Sequence, residues 1–270
     1  MGAKTKIDWC DSTWNPVTGC LHGCEYCYAR RIAERFRARQ IYDPECQCQR
    51  KLIERGMLKG TGKPLELTYP WEQKNKDGSI TNAAYPFGFE PTFHRYKLDE
   101  PQRWKKPRTI FVCSMADLFG DWVPDEWIEQ VFEACEAATQ HRYMFLTKNP
   151  KRYVALYRNG ILRVRDSFWY GSTITGANEP FFFSRVPDDN PHTFCSIEPI
   201  LEPVGTMQVM PDWVIVGAET SNRKGKVVPQ KEWIDEIAAE CKRRRKPLFM
   251  KDSLRELMGA DFRQELPWEV

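Results

Sequence analysis

Cys20, Cys24 and Cys27 stand at C-x3-C-x2-C spacing in the run Cys20-Leu21-His22-Gly23-Cys24-Glu25-Tyr26-Cys27. Thiolates are soft ligands, so three in so short a segment point to a metal ion or an iron–sulfur cluster. The set is one ligand short of a tetrahedral structural zinc site. A [4Fe–4S] cluster held by three cysteines instead keeps one iron open to a substrate or cofactor. A fourth ligand from Cys10, Cys46 or Cys48 would close a zinc knuckle, whereas His22, lying between two of the cysteines, is awkwardly placed to join them. Cys46 and Cys48 are too closely spaced for a C-x2-C hook.

The triad with Tyr26 before its third cysteine resembles the C-x3-C-x-aromatic-C signature of the radical S-adenosylmethionine (SAM) enzymes. The flanking Trp14-Asn15-Pro16-Val17-Thr18-Gly19 is similar to a phage-associated radical-SAM-like family of unknown function, itself distantly similar to spore photoproduct lyase. The resemblance implies a [4Fe–4S] cluster on Cys20, Cys24 and Cys27, with SAM chelated at the open iron and Tyr26 against its adenine. It further implies reductive cleavage of SAM to a 5′-deoxyadenosyl radical, hydrogen abstraction from a substrate, and an electron donor such as flavodoxin or ferredoxin.

The elements that must position this loop are legible as a rhythm. Short β-branched or aromatic runs alternate with helical stretches, which argues for β/α units around a parallel sheet. Trp14 to Val17 reads as the strand feeding the cysteine loop, and Tyr28 to Gln40 as the first helix, with Ile32, Ala33 and Phe36 on one face. Residues 42–108 lose the periodicity and read as an irregular insertion within one domain spanning 1–270. The rhythm resumes with Thr109–Cys113, then a helix from Asp125 to Gln140 with Asp125 as its N-cap, then Tyr143–Leu146, Phe168–Gly171, Thr193–Ser196 and Trp213–Val216. With the first strand these make six units. That number suits the partial (β/α)6 TIM-type barrel of radical SAM enzymes.

Each apolar run ends in small polar or charged residues, as at the rim of a barrel whose parallel strands bury their middles. Such residues are also ordinary turn formers, but Lys148, Glu198 and Glu219 are poor ones and costly to bury unpaired. Under the resemblance, the Ser114 to Asp117 turn meets the SAM ammonium, although no G-G-E motif stands there. Thr147, Lys148, Ser172 and Thr173 are candidates for its carboxylate and ribose, and Glu198 for a hydroxyl or for pairing with Lys148. Cys113 and Cys195 are candidate hydrogen-atom donors, by likeness to the cysteine of spore photoproduct lyase.

Composition narrows the classes. With 41% hydrophobic and 29% charged residues the chain can bury a substantial core. It has no apolar stretch of membrane-spanning length and no N-terminal secretion signal, which predicts a cytoplasmic protein with reduced thiols. The net charge of +3 does not by itself imply nucleic acid. Two segments are strongly basic: Arg30, Arg31, Arg35, Arg37 and Arg39, and Lys242-Arg243-Arg244-Arg245-Lys246. With the aromatic content and the likeness to a repair lyase, they make DNA the favoured substrate, for photoproduct repair or base modification. A radical SAM enzyme acting on a peptide or small metabolite is one alternative; a noncatalytic nucleic-acid-binding protein with a zinc or iron–sulfur knuckle is the other.

Overall fold

A computed structural model describes residues 5–38, 64–177, 192–207 and 209–269. The elements begin with β1 Ser12–Trp14, β2 Val17–Thr18, α1 Tyr28–Arg35, β3 Leu65–Leu67, β4 Glu72–Lys74, β5 Ile80–Asn82, β6 Thr92–His94 and α2 Glu100–Arg103. There follow β7 Thr109–Val112, α3 Asp125–Glu136, β8 Arg142–Thr147, α4 Lys151–Arg158, β9 Phe168–Ile174 and β10 Thr193–Ile197. The last are β11 Trp213–Val216, α5 Lys231–Arg244, β12 Leu248–Met250 and α6 Arg255–Met258. The chain divides into two compact units: Met1–Thr13, Lys105–Val112 and Thr139–Val270 form the first, Trp14–Trp104 and Cys113–Ala138 the second.

The first unit is built on a mixed α/β plan, a seven-stranded parallel sheet curled into a half-barrel in the order β1-β7-β8-β9-β10-β11-β12. Its strands read as continuous apolar runs because both faces are covered. On one face Ile174, Cys195, Ile197, Val214, Val216, Leu248 and Met250 pack with Ile234, Ile237 and Cys241 of α5. Their alternate neighbours Trp169, Phe194, Trp213, Ile215 and Phe249 join Trp9, Phe111 and Met144 in an aromatic layer on the other face. α5 buries positions spaced three and four apart, and ends where Arg245 turns left-handed at φ 54°. Lys242, Arg243 and Arg244 form its last turn, where cations complement the helix dipole.

In the second unit β2 pairs antiparallel with β6, and β6 parallel with β3. β4 and β5 form a separate hairpin. Leu65, Leu67, Trp71, Ala83 and Phe87 make one small core, and Ala29, Ala33, Phe89 and Met115 another under α1. Cys27 caps α1, its Sγ accepting the Arg30 N–H at 3.3 Å.

Several sequence expectations shift. The half-barrel sheet has a strand beyond the six runs read from the sequence, Leu248–Met250. The run Trp14 to Val17 is not one strand: Pro16, which has no N–H for a ladder, separates β1 from β2, and these join different sheets. α1 ends at Arg35, and residues 39 and 40 lie outside the described ones. α3 stops at Glu136, and Asp125 is its first helical residue, with Pro124 in the cap position. The stretch 64–108, expected to be irregular, carries β3 to β6 and α2. Cys46, Cys48, Arg39 and the start of that insertion lie outside the described residues.

Candidate functional site

The cysteine loop leaves β2 through Gly19, whose φ of +87° is a glycine conformation. A Cβ there would meet the Glu90 carbonyl oxygen at 2.1 Å. The loop is fastened to the Ser114–Asp117 turn at several points. Gly19 N–H donates to the Met115 carbonyl at 2.9 Å, and the Tyr28 hydroxyl to the Ser114 carbonyl at 2.9 Å. His22 Nε2 lies 2.7 Å from Asp117 Oδ2, while Asp117 Oδ1 accepts the Phe119 N–H at 3.0 Å. Asn15 Oδ1 accepts from Met115 N–H and the Ser114 hydroxyl, at 2.9 and 3.2 Å. Trp122 packs edge-on to the His22 ring at 4.8 Å, and its buried indole N–H has no hydrogen-bond partner among the described residues.

The eight described cysteines are all free thiols, and Cys20, Cys24 and Cys27 are half-buried. Burial pushes the Cys20 thiol up to about 12, against a backbone hydrogen bond at His22; nearby Asp117, Cys27 and Cys24 raise it further. A buried thiol with that cost of ionisation is one that a bound cation would deprotonate. Among the described residues no group of three or more His, Cys, Asp or Glu is already gathered as a metal site. The donor chemistry nevertheless fits a thiophilic group: three reduced thiols stand on one short loop, with Cys27 at the N-cap of α1. Tyr26 is half-buried between Cys24 and Cys27.

A second cluster lies at the carboxyl ends of the first unit's strands. Lys251, after β12, reaches Glu198, after β10, with Nζ 2.5 Å from Oε1. Its stem crosses Gly217, after β11, where an added Cβ would stand 2.9 Å from Lys251 Cδ. Glu198 therefore pairs with Lys251, where the sequence suggests a hydroxyl or Lys148. Thr173 shares the face of Trp169, and Ser172 the opposite one. The Thr147 hydroxyl accepts the Asn149 N–H at 2.9 Å, the turn-forming role. Glu219 is buried against Arg223 and Ser221, and the Arg223 guanidinium holds its carboxyl down to about 2.

The two candidate hydrogen donors are both buried. Cys195 sits in the apolar layer against α5. Cys113 has a left-handed backbone at φ 58°, and burial pushes its thiol up to about 12, so it remains an S–H. The basic run near the C-terminus is largely committed: Arg243 and Arg244 pair with Glu240, and Lys246 with Asp212. Just past α1, Arg37 pairs with Glu34 of the helix, and on α1 Arg30 lies over Phe89 while donating to the Cys20 carbonyl. Tyr28, Ile32 and Phe36 are exposed along one side of that helix.

Sequence reading missed three of these features. In the sequence Asn15 stands only as a flanking residue and His22 as an awkward ligand, yet both tie the loop to the 114–117 turn. Lys251 follows a strand too short to show a period. No helix among the described residues is long and apolar enough to cross a membrane. No curated protein and no solved structure matches the chain. The model of the family described as protein of unknown function (DUF5131) matches residues 4–255, and the chain belongs to that family.

Proposed function

We propose that this protein is a radical SAM enzyme with a partial (β/α)6 barrel, in which Cys20, Cys24 and Cys27 hold a [4Fe–4S] cluster. The observation that carries the reading is the half-buried three-thiol loop, tied by Gly19, His22 and Tyr28 to the turn that the resemblance assigns to SAM. A cluster bound there would supply the open iron and the electron for reductive cleavage of SAM. The protein's own part is positional. Asn15 fixes the Ser114–Met115 backbone, Asp117 orients His22, and Trp122 covers the imidazole. Cys113, kept protonated by burial, is the better placed of the two thiols to serve as a hydrogen donor, because Cys195 packs against α5.

Nucleic acid remains the favoured substrate. The support moves from the C-terminal basic run, which is largely paired internally, to α1 and its C-cap, where Arg31 and Arg35 accompany exposed Tyr28 and Phe36. Arginine with stackable aromatics is how single-stranded or flipped bases are held. The deciding experiment is anaerobic reconstitution with iron and sulfide, then dithionite and SAM, with chromatographic detection of 5′-deoxyadenosine. Formation that depends on Cys20, Cys24 and Cys27 supports the reading. A colourless protein carrying one zinc overturns it in favour of a binding module.

A further inference from the structure

The first unit has a cavity of about 630 Å3 at the amino ends of its strands, the opposite end from Glu198 and Lys251. Its walls come from the segments that lead into β1, β7, β8 and β9, with Leu266, Trp268 and Glu269 of the C-terminal segment. That volume lies in the range of small-molecule sites, about 300–1,000 Å3.

Arg142 gives the cavity its chemistry. Its guanidinium stacks on the Trp268 ring at 4.0 Å, and its Nη1 donates to Thr109 Oγ1 at 3.1 Å. It forms no ion pair among the described residues, and burial pulls it below the ordinary arginine range despite the nearby Asp11 carboxylate. A guanidinium has five N–H donors in a rigid fork, so most of this one's donors are unspent. Stacking on the indole fixes the plane of the fork, which lowers the entropy lost when a planar oxyanion docks. Arg108 joins the same wall: its carbonyl accepts the Arg142 N–H at 2.9 Å, and its Nη1 donates to Ser12 Oγ.

Carboxylates line the cavity as well, but they are placed differently. Asp11 accepts the Thr109 N–H at 2.7 Å, and Asp8 the Asp252 N–H at 3.1 Å. Asp166 and Glu269 are exposed. None of the four takes a hydrogen bond from Arg142, which leaves the stacked guanidinium as a half-buried cation awaiting an anion.

We propose that this cavity binds a small molecule through a carboxylate or phosphate group received by the fork of Arg142. The site is independent of the cysteine loop and of the reaction proposed for it. Its test is calorimetric titration of the full chain with inorganic phosphate and, separately, acetate, beside the Tm of each mixture. The expected result is saturable binding of one of the two ions, which names the anion class. Arg142→Gln should weaken it at least tenfold, and Arg142→Lys, which keeps charge without the fork, by an intermediate factor. Gln140→Glu, at an exposed position on the same wall, should weaken it without touching the Trp268 stack, so that misfolding of an Arg142 variant cannot decide the matter. The proposal is overturned if neither ion binds more tightly than about 1 mM or gives a saturating rise in Tm, or if Arg142→Gln and Gln140→Glu bind as the parent does.

Discussion

The cysteine loop and the strand ends hold polar groups by opposite means. Around Cys20, Cys24 and Cys27 the fixed points are largely backbone: the Gly19 turn, the carbonyls of Ser114 and Met115, and the free end of α1. At the strand ends the fixed points are side chains meeting across parallel strands, as Lys251 meets Glu198 over Gly217. A loop built on backbone tolerates little change in its path, whereas a rim built on side chains can lose one contact and keep its sheet.

The largest break in that comparison is chemical. Replacing Cys20, Cys24 and Cys27 together by Ala should abolish iron incorporation on anaerobic reconstitution while leaving the far-ultraviolet circular dichroism largely unchanged, because the larger cores are untouched and the loss is confined to the cap of α1 and the small core that Cys20 and Cys27 border. Stoichiometric iron in the triple variant would remove these residues as ligands.

Acid separates the two units next. His94, in the second unit, is buried with Nε2 2.9 Å from Thr18 Oγ1, and burial pulls its pKa from 6.5 down to about 3. The unfolded chain takes up this proton near pH 6.5 and the folded one does not. The stability contributed is therefore intact above 6.5 and falls by about 1.4 kcal/mol per pH unit down to about 3. Glu219, in the first unit, has its carboxyl lowered from 4.5 to about 2, so its contribution is intact above 4.5 and lost only below it. Amide exchange followed from pH 7 to 4 should show the second unit opening first, and His94→Gln should flatten that trend. Equal opening of both units across this range would contradict the assignment.

Much of the first unit could be read from the sequence because its strands are apolar on both faces and long enough to stand out. Trp213–Val216 was bounded as it is found, and Thr109 and Phe168 were placed at the first residue of their strands. Leu248–Met250 escaped because three residues carry no period. Pro16 is the visible sign that Trp14 to Val17 is not one strand, because it has no N–H for the ladder. The strands of the second unit have only two or three residues each, and β3 packs its Leu65 and Leu67 with Trp71 and Phe87, a contact that no local pattern announces. The triad itself was legible as a motif. Its fastening through Asn15, His22 and Asp117 joins residues about a hundred positions apart, which only the folded chain brings together.

The same substitution in both regions gives the sharpest contrast, and it separates a backbone clash from a side-chain clash. Gly19→Ala puts a Cβ 2.1 Å from the Glu90 carbonyl at a φ of +87°, with no flexible neighbour to give way. It should cost about 3 kcal/mol or more, measured by chemical denaturation of the whole chain, and should lower iron uptake as the loop shifts. Gly217→Ala meets only the aliphatic stem of Lys251, at 2.9 Å, which can swing aside. The cost there should stay near 1 kcal/mol, roughly that of losing the Glu198 hydrogen bond, and Lys251→Met should match it while making Gly217→Ala nearly silent in the double variant. Additive costs in that double-mutant cycle would show that Gly217 serves the strand itself and not the path of Lys251.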